Sequence, residues 1–459
     1  MTERAEVIVV GMGPGGEEVA GRLAEAGLDV LGIEAKLLGG ECPYWGCVPS
    51  KMMVRAANLL AEGRRIPGMA GTATVTADWA PVARRIRDEA TDNWNDQVAV
   101  DRFVKKGGRF LRGSARLLGP SSVEVDDVVY EASRALVINT GTEPAIPPID
   151  GLADTPYWTN REAIETETVP ESLAILGGGS VGLELAQVFA RFGAQVTVVE
   201  ALDRLLAIEE PEASALAAEA VGRDGVAVHL GASARNVSHD LDTGFTVTLD
   251  GAEPVSARRL LVATGRRADL GGLGAAALDV PADARFLPVD DHCRVTEGVW
   301  ALGDVTGKGA YTHVSMYQAA IVIRDILSGG GGGDPGPPAD YRALPRVTFT
   351  DPEIGAVGLT EAQAREQDVP VRVGLAQVPS SARGWIHKAG NEGFIKIVED
   401  TNRGVLVGAT SAGPVGGEVL SALVVAVHAE VPVDRLRHMM YAYPTFHRGI
   451  EDALKSLDG

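Results

Sequence analysis

The stretch EVIVVGMGPGG at residues 6–16 decides the fold, because a short apolar β-branched run passes directly into closely spaced glycines. Apolar residues follow at Ala20, Leu23 and Ala24, so the segment predicts a strand, a tight turn and a helix. In such a unit the first glycine permits the turn, the second lets the backbone approach a pyrophosphate, and the third allows close helix packing. The amino-terminal end of the helix attracts the anion.

The same unit occurs a second time, where residues 173–182 read LAILGGGSVG and a further strand, VTVVE, follows the next helical segment. Gly16 lies 18 positions before Glu34, and Gly182 lies 18 positions before Glu200. One glycine-rich turn is weak evidence, whereas two in register, each closed by an acidic residue that can accept a ribose hydroxyl, predict two bound dinucleotides. Enzymes of this kind usually move a hydride between nicotinamide and flavin, so one site should hold FAD and the other NAD(P)H.

Length and composition indicate a folded, multidomain chain. At roughly 150 residues per domain, 459 residues predict about three domains, and 45% apolar with 23% charged residues is ordinary for a globular protein. A net charge of −20 disfavours nucleic acid and anionic membrane surfaces as partners. The N-terminal sequence has no basic leader with a long apolar core, and no apolar run reaches about 18 residues, so we expect a soluble cytoplasmic protein.

The three cysteines point to redox chemistry, because Cys42 and Cys47 lie close together in GGECPYWGCVPSK, residues 39–51. A zinc site usually needs four Cys or His ligands and no second cluster is present, so we predict no metal site. Cys293 is left over, and we expect a small buried hydrophobic side chain there.

The spacing of the pair requires an interrupted helix. Cysteines five positions apart on a regular helix would point about 140° apart and could not bond. Pro43 and Gly46 permit an irregular turn between them. A helix beginning near Cys47 would stabilise the thiolate of that residue through its N-terminal dipole.

The segment around the pair resembles the redox-active signature of the FAD-dependent pyridine nucleotide-disulfide oxidoreductases, the family that includes dihydrolipoamide dehydrogenase, glutathione reductase and mercuric reductase. Four more segments resemble family motifs in the same order. They are LVINTGTEPAIP at 136–147 (the end of the first FAD lobe), LVATGRRAD at 261–269 (its NAD-domain counterpart), VTEGVWALGDVTG at 295–307 (the second flavin motif) and PRVTFTDPEIGAVGLTE at 345–361 (the start of the dimerisation domain).

The resemblance implies an α/β fold with two Rossmann-like dinucleotide-binding domains and an α+β C-terminal dimerisation domain. We expect an FAD-binding first part at 1–150, an NAD(P)H-binding domain at 151–272, an FAD-binding return segment at 273–340 and the dimerisation domain at 341–459. The Gly/Pro run at 329–338 supports the last boundary. The family is homodimeric, and its C-terminal domain completes the active site of the partner subunit.

The resemblance also implies residue roles: Cys47 faces the flavin, Cys42 attacks the substrate, and Lys51 pairs with Glu184 beside the flavin. The implied FAD contacts are Gly11, Gly13, Gly16, Glu34, Thr140, Gly141, Gly303 and Asp304, the last of these on the ribityl chain. The implied NAD contacts are Gly177, Gly179, Gly182, Glu200 and Gly265. NADH is expected over NADPH, because Glu200 would repel a 2′-phosphate, although Arg204 four positions on could still reach one.

The C-terminal stretch YAYPTFHRGIEDAL departs from the family pattern of a His before Pro-Thr and an orienting Glu. Tyr443 stands at the His position and Arg448 at the Glu position, and a tyrosine with a pKa near 10 is a poor base at neutral pH. A helix starting around Pro444 would place Tyr443, His447 and Glu451 along one face, with the pair of His447 and Glu451 as a displaced acid/base. Alternatively, His447 caps or packs at the dimer interface, and no conventional base exists.

Three functions remain open from the sequence. The first is reduction of a small disulfide or similar oxidised acceptor by NAD(P)H, through FAD and the Cys42–Cys47 disulfide. The second is reduction of a non-thiol acceptor such as a quinone, a metal ion or dioxygen, which the altered C-terminal motif favours. The third is a flavoprotein subunit that assembles with other chains.

Overall fold

A computed structural model describes residues 2–281, 283–329 and 333–458. Residues 330–332 of the predicted Gly/Pro linker lie outside the described residues. The described strands are β1 (Thr2–Val10), β2 (Val30–Glu34), β3 (Arg109–Arg112), β4 (Arg116–Gly119), β5 (Ser122–Val125), β6 (Val128–Ile138), β7 (Glu143–Pro144), β8 (Ser172–Leu176), β9 (Gln195–Val199), β10 (Ala227–His229), β11 (Ala234–Asp240), β12 (Gly244–Leu249), β13 (Ala252–Ala257), β14 (Arg259–Val262), β15 (Arg266–Arg267), β16 (Arg294–Thr296), β17 (Val299–Ala301), β18 (Pro345–Thr348), β19 (Glu353–Gly358), β20 (Val371–Gln377), β21 (Phe394–Asp400) and β22 (Val405–Gly413).

The described α-helices are α1 (Pro14–Glu25), α2 (Glu41–Tyr44), α3 (Cys47–Arg65), α4 (Ala80–Arg85), α5 (Gln97–Lys105), α6 (Asn160–Glu165), α7 (Ser180–Arg191), α8 (Pro211–Arg223), α9 (Leu270–Leu273), α10 (Thr312–Leu327), α11 (Glu361–Glu366), α12 (Ala382–His387), α13 (Gly416–His428), α14 (Val433–Arg437) and α15 (Gly449–Lys455). A π-helical turn, Ile86–Ala90, continues α4. Within the described ranges, no helix has the length and hydropathy needed to cross a membrane.

The first compact unit comprises residues 2–50, 84–145 and 265–341. Its main sheet has the order β16-β17-β6-β1-β2-β3, in which β1 runs parallel to both β2 and β6. Strand β1 is apolar on both faces because the sheet is covered on both sides: Ile8 and Val10 enter one core, while Val7 and Val9 enter the other. This is the arrangement expected of a dinucleotide-binding domain.

The second compact unit comprises residues 51–83, 146–264 and 342–458. It contains a parallel sheet of order β10-β9-β8-β14 and an antiparallel sheet of order β11-β12-β13. A further antiparallel sheet, of order β18-β19-β22-β21-β20, packs against α13 and α15 to form the C-terminal core.

Local structure follows the sequence expectations in most places. The two predicted strand–turn–helix–strand units are β1-α1-β2 and β8-α7-β9, and the predicted α/β fold class is confirmed. The helix interruption between the paired cysteines is also confirmed, because α2 ends at Tyr44 and α3 begins at Cys47. Cys293 is fully buried in the core, as expected, and burial raises its pKa to about 12. The four predicted domain ranges remain predictions.

One local prediction was wrong. The last α-helix, α15, begins at Gly449 and not around Pro444. The hydroxyl of Thr445 donates to the carbonyl of Ala442 at 2.7 Å, and such a side-chain bond to the backbone competes with helix formation. Phe446 packs against the C-terminal core, which fixes this irregular turn ahead of the helix.

Candidate active site

The first glycine turn joins β1 to α1. Gly11 has φ +89°, and a Cβ at Gly16 would overlap with the carbonyl oxygen of Gly11, so neither position accepts a side chain. Glu34, the last residue of β2, accepts from the backbone N–H groups of Met12 and Lys36, both at 2.8 Å. Glu34, which was predicted to close the first dinucleotide-binding unit, therefore makes a hydrogen bond to the glycine turn of that unit.

The second turn, between β8 and α7, repeats this construction. Gly177 has φ +108°, and a Cβ at Gly182 would overlap with the carbonyl oxygen of Gly177. Glu200 accepts from the N–H of Gly178 at 2.6 Å. A Cβ at Gly179 would meet nothing within 4 Å, so the protein leaves open the space next to this backbone. An open backbone at the start of a 12-residue helix fits a pyrophosphate.

Two motifs predicted to contribute to the FAD site, at 136–147 and 295–307, pack closely around the first glycine turn. A Cβ at Gly11 would lie 2.8 Å from the N of Thr140, and one at Gly303 would lie 2.8 Å from Oδ1 of Asn139. The Asn139 amide also lies 3.2 Å from the hydroxyl of Ser315. Sequence reasoning missed Asn139, although a polar residue directly after the buried run 135–138 was an available signal.

Asp304 was predicted to contact the ribityl chain, and it lies beside the predicted residues that follow β6. Its carboxylate accepts from Thr142 Oγ1 at 2.9 Å, just past Gly141, and burial raises its pKa. Arg266 donates to the same threonine hydroxyl at 2.8 Å. Gly265, which was predicted to contact NAD, has φ +116° and accepts from the N–H of Ala145 in the first unit.

No disulfide joins Cys42 to Cys47 in this structure. The hydrogen bond between Cys42 and Cys47, together with burial, raises the pKa of Cys42. Cys47 Sγ lies 3.5 Å from the hydroxyl of Thr312 at the start of α10. Thr312 had no local signal, because it is 265 positions away in the sequence. The raised pKa means that the Cys42 thiol keeps its proton at neutral pH.

Lys51 and Glu184 form the ion pair that the resemblance implied, with 2.6 Å between Lys51 Nζ and Glu184 Oε2. Glu184 is only 6% exposed, and its second oxygen accepts from the N–H of Phe349 at 2.9 Å. The Lys51 ammonium also lies 4.8 Å from the centroid of the Phe349 ring. Sequence reasoning missed Phe349, although it lies within the quoted segment 345–361.

Tyr443, His447 and Glu451 do not lie along one helical face as predicted, because α15 begins at Gly449. Tyr443 is 70% exposed, and the guanidinium of Arg448 lies 5.5 Å from its ring centroid. Glu451 pairs with Arg448 and Lys455, both at 2.9 Å, and not with His447. These partners are three and four residues away on or beside α15, whereas His447 precedes the helix. The hydrogen bond from Lys455 lowers the pKa of Glu451.

Comparison with known proteins agrees with this geometry. Residues 5–320 match the pyridine nucleotide-disulphide oxidoreductase domain, and residues 344–454 match its dimerisation domain, which supports homodimer formation. The chain is 31% identical to dihydrolipoyl dehydrogenase of Chlorobaculum tepidum, over 98% of this chain and 96% of that one. It is 32% identical to mercuric reductase of Streptomyces lividans, again over 98% and 96%.

A solved structure is similar to this chain over its whole length. It is the Cu(II) complex of the HOCl-induced flavoprotein disulfide reductase RclA from Escherichia coli. The two chains superpose with a TM-score of 0.85 at 25% sequence identity, and the match covers 99% of each chain. The two glycine turns fit FAD and NAD(P)H, and the paired cysteines fit the disulfide reduction for which RclA is named. This chain therefore belongs to the FAD- and NAD(P)-dependent pyridine nucleotide-disulphide oxidoreductase family, as a flavoprotein disulfide oxidoreductase that takes electrons from NAD(P)H.

Proposed function

We propose that Cys42 and Cys47 are the redox pair through which electrons from NADH reach a small disulfide or a related oxidised acceptor. The observation that carries the proposal is the hydrogen bond between the sulfurs of Cys42 and Cys47, which lie on either side of the break between α2 and α3. Bound FAD supplies two-electron transfer between the nicotinamide and the cysteine disulfide. Each hydride, with one proton from solvent, converts the disulfide to two thiols.

The dithiol then reduces the acceptor by thiol–disulfide exchange. Deprotonated Cys42 attacks one sulfur of the acceptor disulfide and forms a mixed disulfide, while the other sulfur leaves and takes up a proton. Cys47 next attacks Cys42, which releases the second acceptor thiol and restores the Cys42–Cys47 disulfide. The thiolate is the nucleophile, so the raised pKa of Cys42 means that this half-reaction needs a proton acceptor.

The third cysteine provides a matched control for testing this pair. Cys42→Ser and Cys47→Ser should each keep FAD bound and abolish disulfide-reductase turnover, because the two sulfurs act as a unit. Anaerobic NADH should expose two additional titratable thiols in the wild type and none in either variant. Cys293→Ser should retain both properties, because its side chain is buried in the core. Full turnover in both single variants would exclude the dithiol route.

NADH is the proposed coenzyme, and the contacts of Arg204 support this preference. Glu200 places a carboxylate where the adenosine ribose is expected, which disfavours a 2′-phosphate. The guanidinium of Arg204 donates to the carbonyls of Glu209 at 2.9 Å and Ala207 at 2.6 Å. It is therefore engaged by its own loop, and reaching a phosphate would require it to break these bonds.

Reduction of a non-thiol acceptor, such as a metal ion, is the second candidate. The observation that favours it is the C-terminal motif: Glu451 pairs with two cations, so it does not orient His447 as the family dyad would. Among the relatives are a mercuric reductase and a flavoprotein solved as a Cu(II) complex. Such an acceptor needs electrons but no deprotonated Cys42 for disulfide attack.

His447→Gln separates the two candidates. We propose that His447 of the partner subunit accepts the Cys42 proton, with Tyr443 of the partner subunit binding the substrate or a thiolate. Loss of a general acid/base should then lower disulfide turnover about 10²- to 10⁴-fold. Near-native turnover in this variant would show that the enzyme works without His447 as a base, which shifts the preference toward a non-thiol acceptor. A parallel screen of disulfides, quinones and metal ions with NADH would then identify the acceptor that the wild type reduces fastest.

A further inference from the structure

The segment that follows Glu200, here called the coenzyme loop (residues 201–210), packs directly on the second glycine turn. The N–H of Leu206 donates to the carbonyl of Gly178 at 3.0 Å, and Leu205 fills the space where a Gly178 side chain would project. Both leucines are buried. Glu200 also accepts from the N–H of Leu202 at 2.8 Å. The position of the Glu200 carboxylate therefore depends on the position of this loop.

Two cationic side chains of the C-terminal sheet bind the far end of the loop. Arg346, on β18, makes a bidentate pair with the buried carboxylate of Glu209 at 2.7 and 2.8 Å. Paired hydrogen bonds of this kind fix orientation as well as distance. The loop is therefore held at one end by the glycine turn and at the other by the C-terminal sheet.

The second cation is Lys396 on β21, which is 3% exposed. Its ammonium contacts Glu210 at 3.0 Å, Glu212 at 2.8 Å and Glu361 at 3.1 Å. Burial lowers the pKa of Lys396, but hydrogen bonds to the three carboxylates outweigh it and raise the pKa overall, so the side chain stays charged. Without this cation, the buried carboxylate of Glu210 would face the partly exposed carboxylates of Glu212 and Glu361 with no charge to offset their repulsion, which favours an outward shift of Glu210.

We infer that Arg346 and Lys396 are positioning residues for the nicotinamide coenzyme, acting through the coenzyme loop on Glu200. The inference rests on the proposed function, in which Glu200 contacts the adenosine ribose. If either cation is removed, the loop is in place in only a fraction of the molecules before coenzyme binds. The apparent affinity for the coenzyme is then the intrinsic affinity multiplied by that fraction. The effect should appear in the affinity for NADH and in KM far more than in kcat.

The test compares two bidentate Arg–Glu pairs of the same sheet. Arg346→Met removes the pair that holds the loop, and Arg372→Met removes the Arg372–Glu399 pair at 2.9 and 3.1 Å, whose glutamate is also buried. We expect Arg346→Met to raise the Kd and KM for NADH about 10-fold with kcat within about two-fold. Arg372→Met should lower thermal stability comparably and leave the Kd unchanged.

Further variants show whether the effect passes through the loop. Arg346→Lys should recover part of the affinity, because it keeps the charge without the bidentate geometry. Glu209→Gln should match Arg346→Met, and the double variant should be no weaker than either alone, because both remove the same contact. These variants also provide the measurement if Arg346→Met does not fold.

The outcomes separate this inference from the proposed function. Titration of the oxidised enzyme with NAD⁺ by calorimetry gives a readout that does not need turnover, because NAD⁺ cannot reduce the flavin, and the Kd for NAD⁺ should rise as that for NADH does. An unchanged Kd in Arg346→Met and Glu209→Gln overturns the positioning role, and the coenzyme site stands if Glu200→Ala still weakens NADH. If Glu200→Ala leaves NADH binding unchanged, the assignment of the coenzyme site itself is wrong.

Discussion

Coenzyme selection by Glu200 can be tested by removing the charge of its side chain. Both carboxylate oxygens accept backbone N–H groups, from Gly178 at 2.6 Å and from Leu202 at 2.8 Å, so the carboxylate cannot rotate away from an approaching coenzyme without breaking them. Glu200→Gln keeps the length of the side chain, loses the charge and leaves one of these two N–H groups without its acceptor. Because the lost acceptor affects both coenzymes alike, the ratio of kcat/KM for NADH and NADPH reports the repulsion of a 2′-phosphate.

The expected size of this repulsion follows from charge and distance. A carboxylate and a phosphate of charge about −2, about 6 Å apart, repel by roughly 1.4–5.5 kcal/mol at effective dielectric constants of about 80 to 20. With a Debye length of about 8 Å at physiological salt, about half of this remains, roughly 0.7–2.6 kcal/mol or a 3- to 80-fold effect. NADPH also lacks the free ribose hydroxyl that would donate to Glu200. The loss of this charged hydrogen bond adds about 1.5 kcal/mol, roughly 10-fold, to the preference for NADH.

The wild-type enzyme should therefore prefer NADH over NADPH in kcat/KM by about 10²-fold, and Glu200→Gln should reduce the preference to about 10-fold or less. Raising the ionic strength should narrow the preference in the wild type and have little effect in the variant.

The matched control is Glu34→Gln, since Glu34 accepts from Met12 and Lys36 in the same geometry at the other glycine turn. This change should weaken FAD retention and leave the coenzyme preference intact. Equal kcat/KM for the two coenzymes in the wild type, or an unchanged ratio in Glu200→Gln, would refute the charge argument.

Two further predictions concern a buried ion pair of the first unit and the glycines of the second glycine turn. The carboxylate of fully buried Asp325 accepts hydrogen bonds from Arg294 and Trp300. Burial raises the pKa of Asp325, but these hydrogen bonds outweigh burial and lower the pKa below its usual value. The contribution of Asp325 to folding stability is therefore present at neutral pH and is lost as the pH falls through its pKa in the folded state. Asp325→Asn should cost about 3 kcal/mol in urea unfolding, and an unchanged midpoint would contradict this. Gly179→Ala should fold normally yet weaken NADH binding, whereas Gly182→Ala should cost about 1–3 kcal/mol; equal stabilities would contradict the packing argument.

The parts of this protein that the sequence predicted are those with local physical causes. A β-branched run followed by glycines determines where a strand ends and a helix begins, and this holds at both Gly11 and Gly177. Pro43 and Gly46 likewise indicate the break that places Cys47 at a helix start. Thr312 near Cys47 and Phe349 on Glu184 were not predictable, because their contacts join segments distant in sequence.

The C-terminal error has a different cause. Pro444 is compatible with a first helical turn, and the spacing of His447 and Glu451 is helical, so the local pattern supports the wrong structure. Packing of Phe446 and the hydroxyl of Thr445 decide the outcome instead, and neither is visible as periodicity. A pattern of spacing alone therefore could not assign an acid/base group at this position.

This error bears directly on the chemistry. In the proposed exchange reaction, Cys42 must lose a proton that its hydrogen bond to Cys47 and its burial hold in place. The carboxylate nearest in sequence that could orient a base, Glu451, is already bound to Arg448 and Lys455 and does not pair with His447. Reduction of the disulfide by NADH needs no such base, whereas attack on an acceptor disulfide does. In the proposed mechanism, the departure from the family motif therefore affects only the reduction of the acceptor by the Cys42–Cys47 dithiol. We expect this chain to differ from dihydrolipoyl dehydrogenases mainly in the acceptor that it reduces.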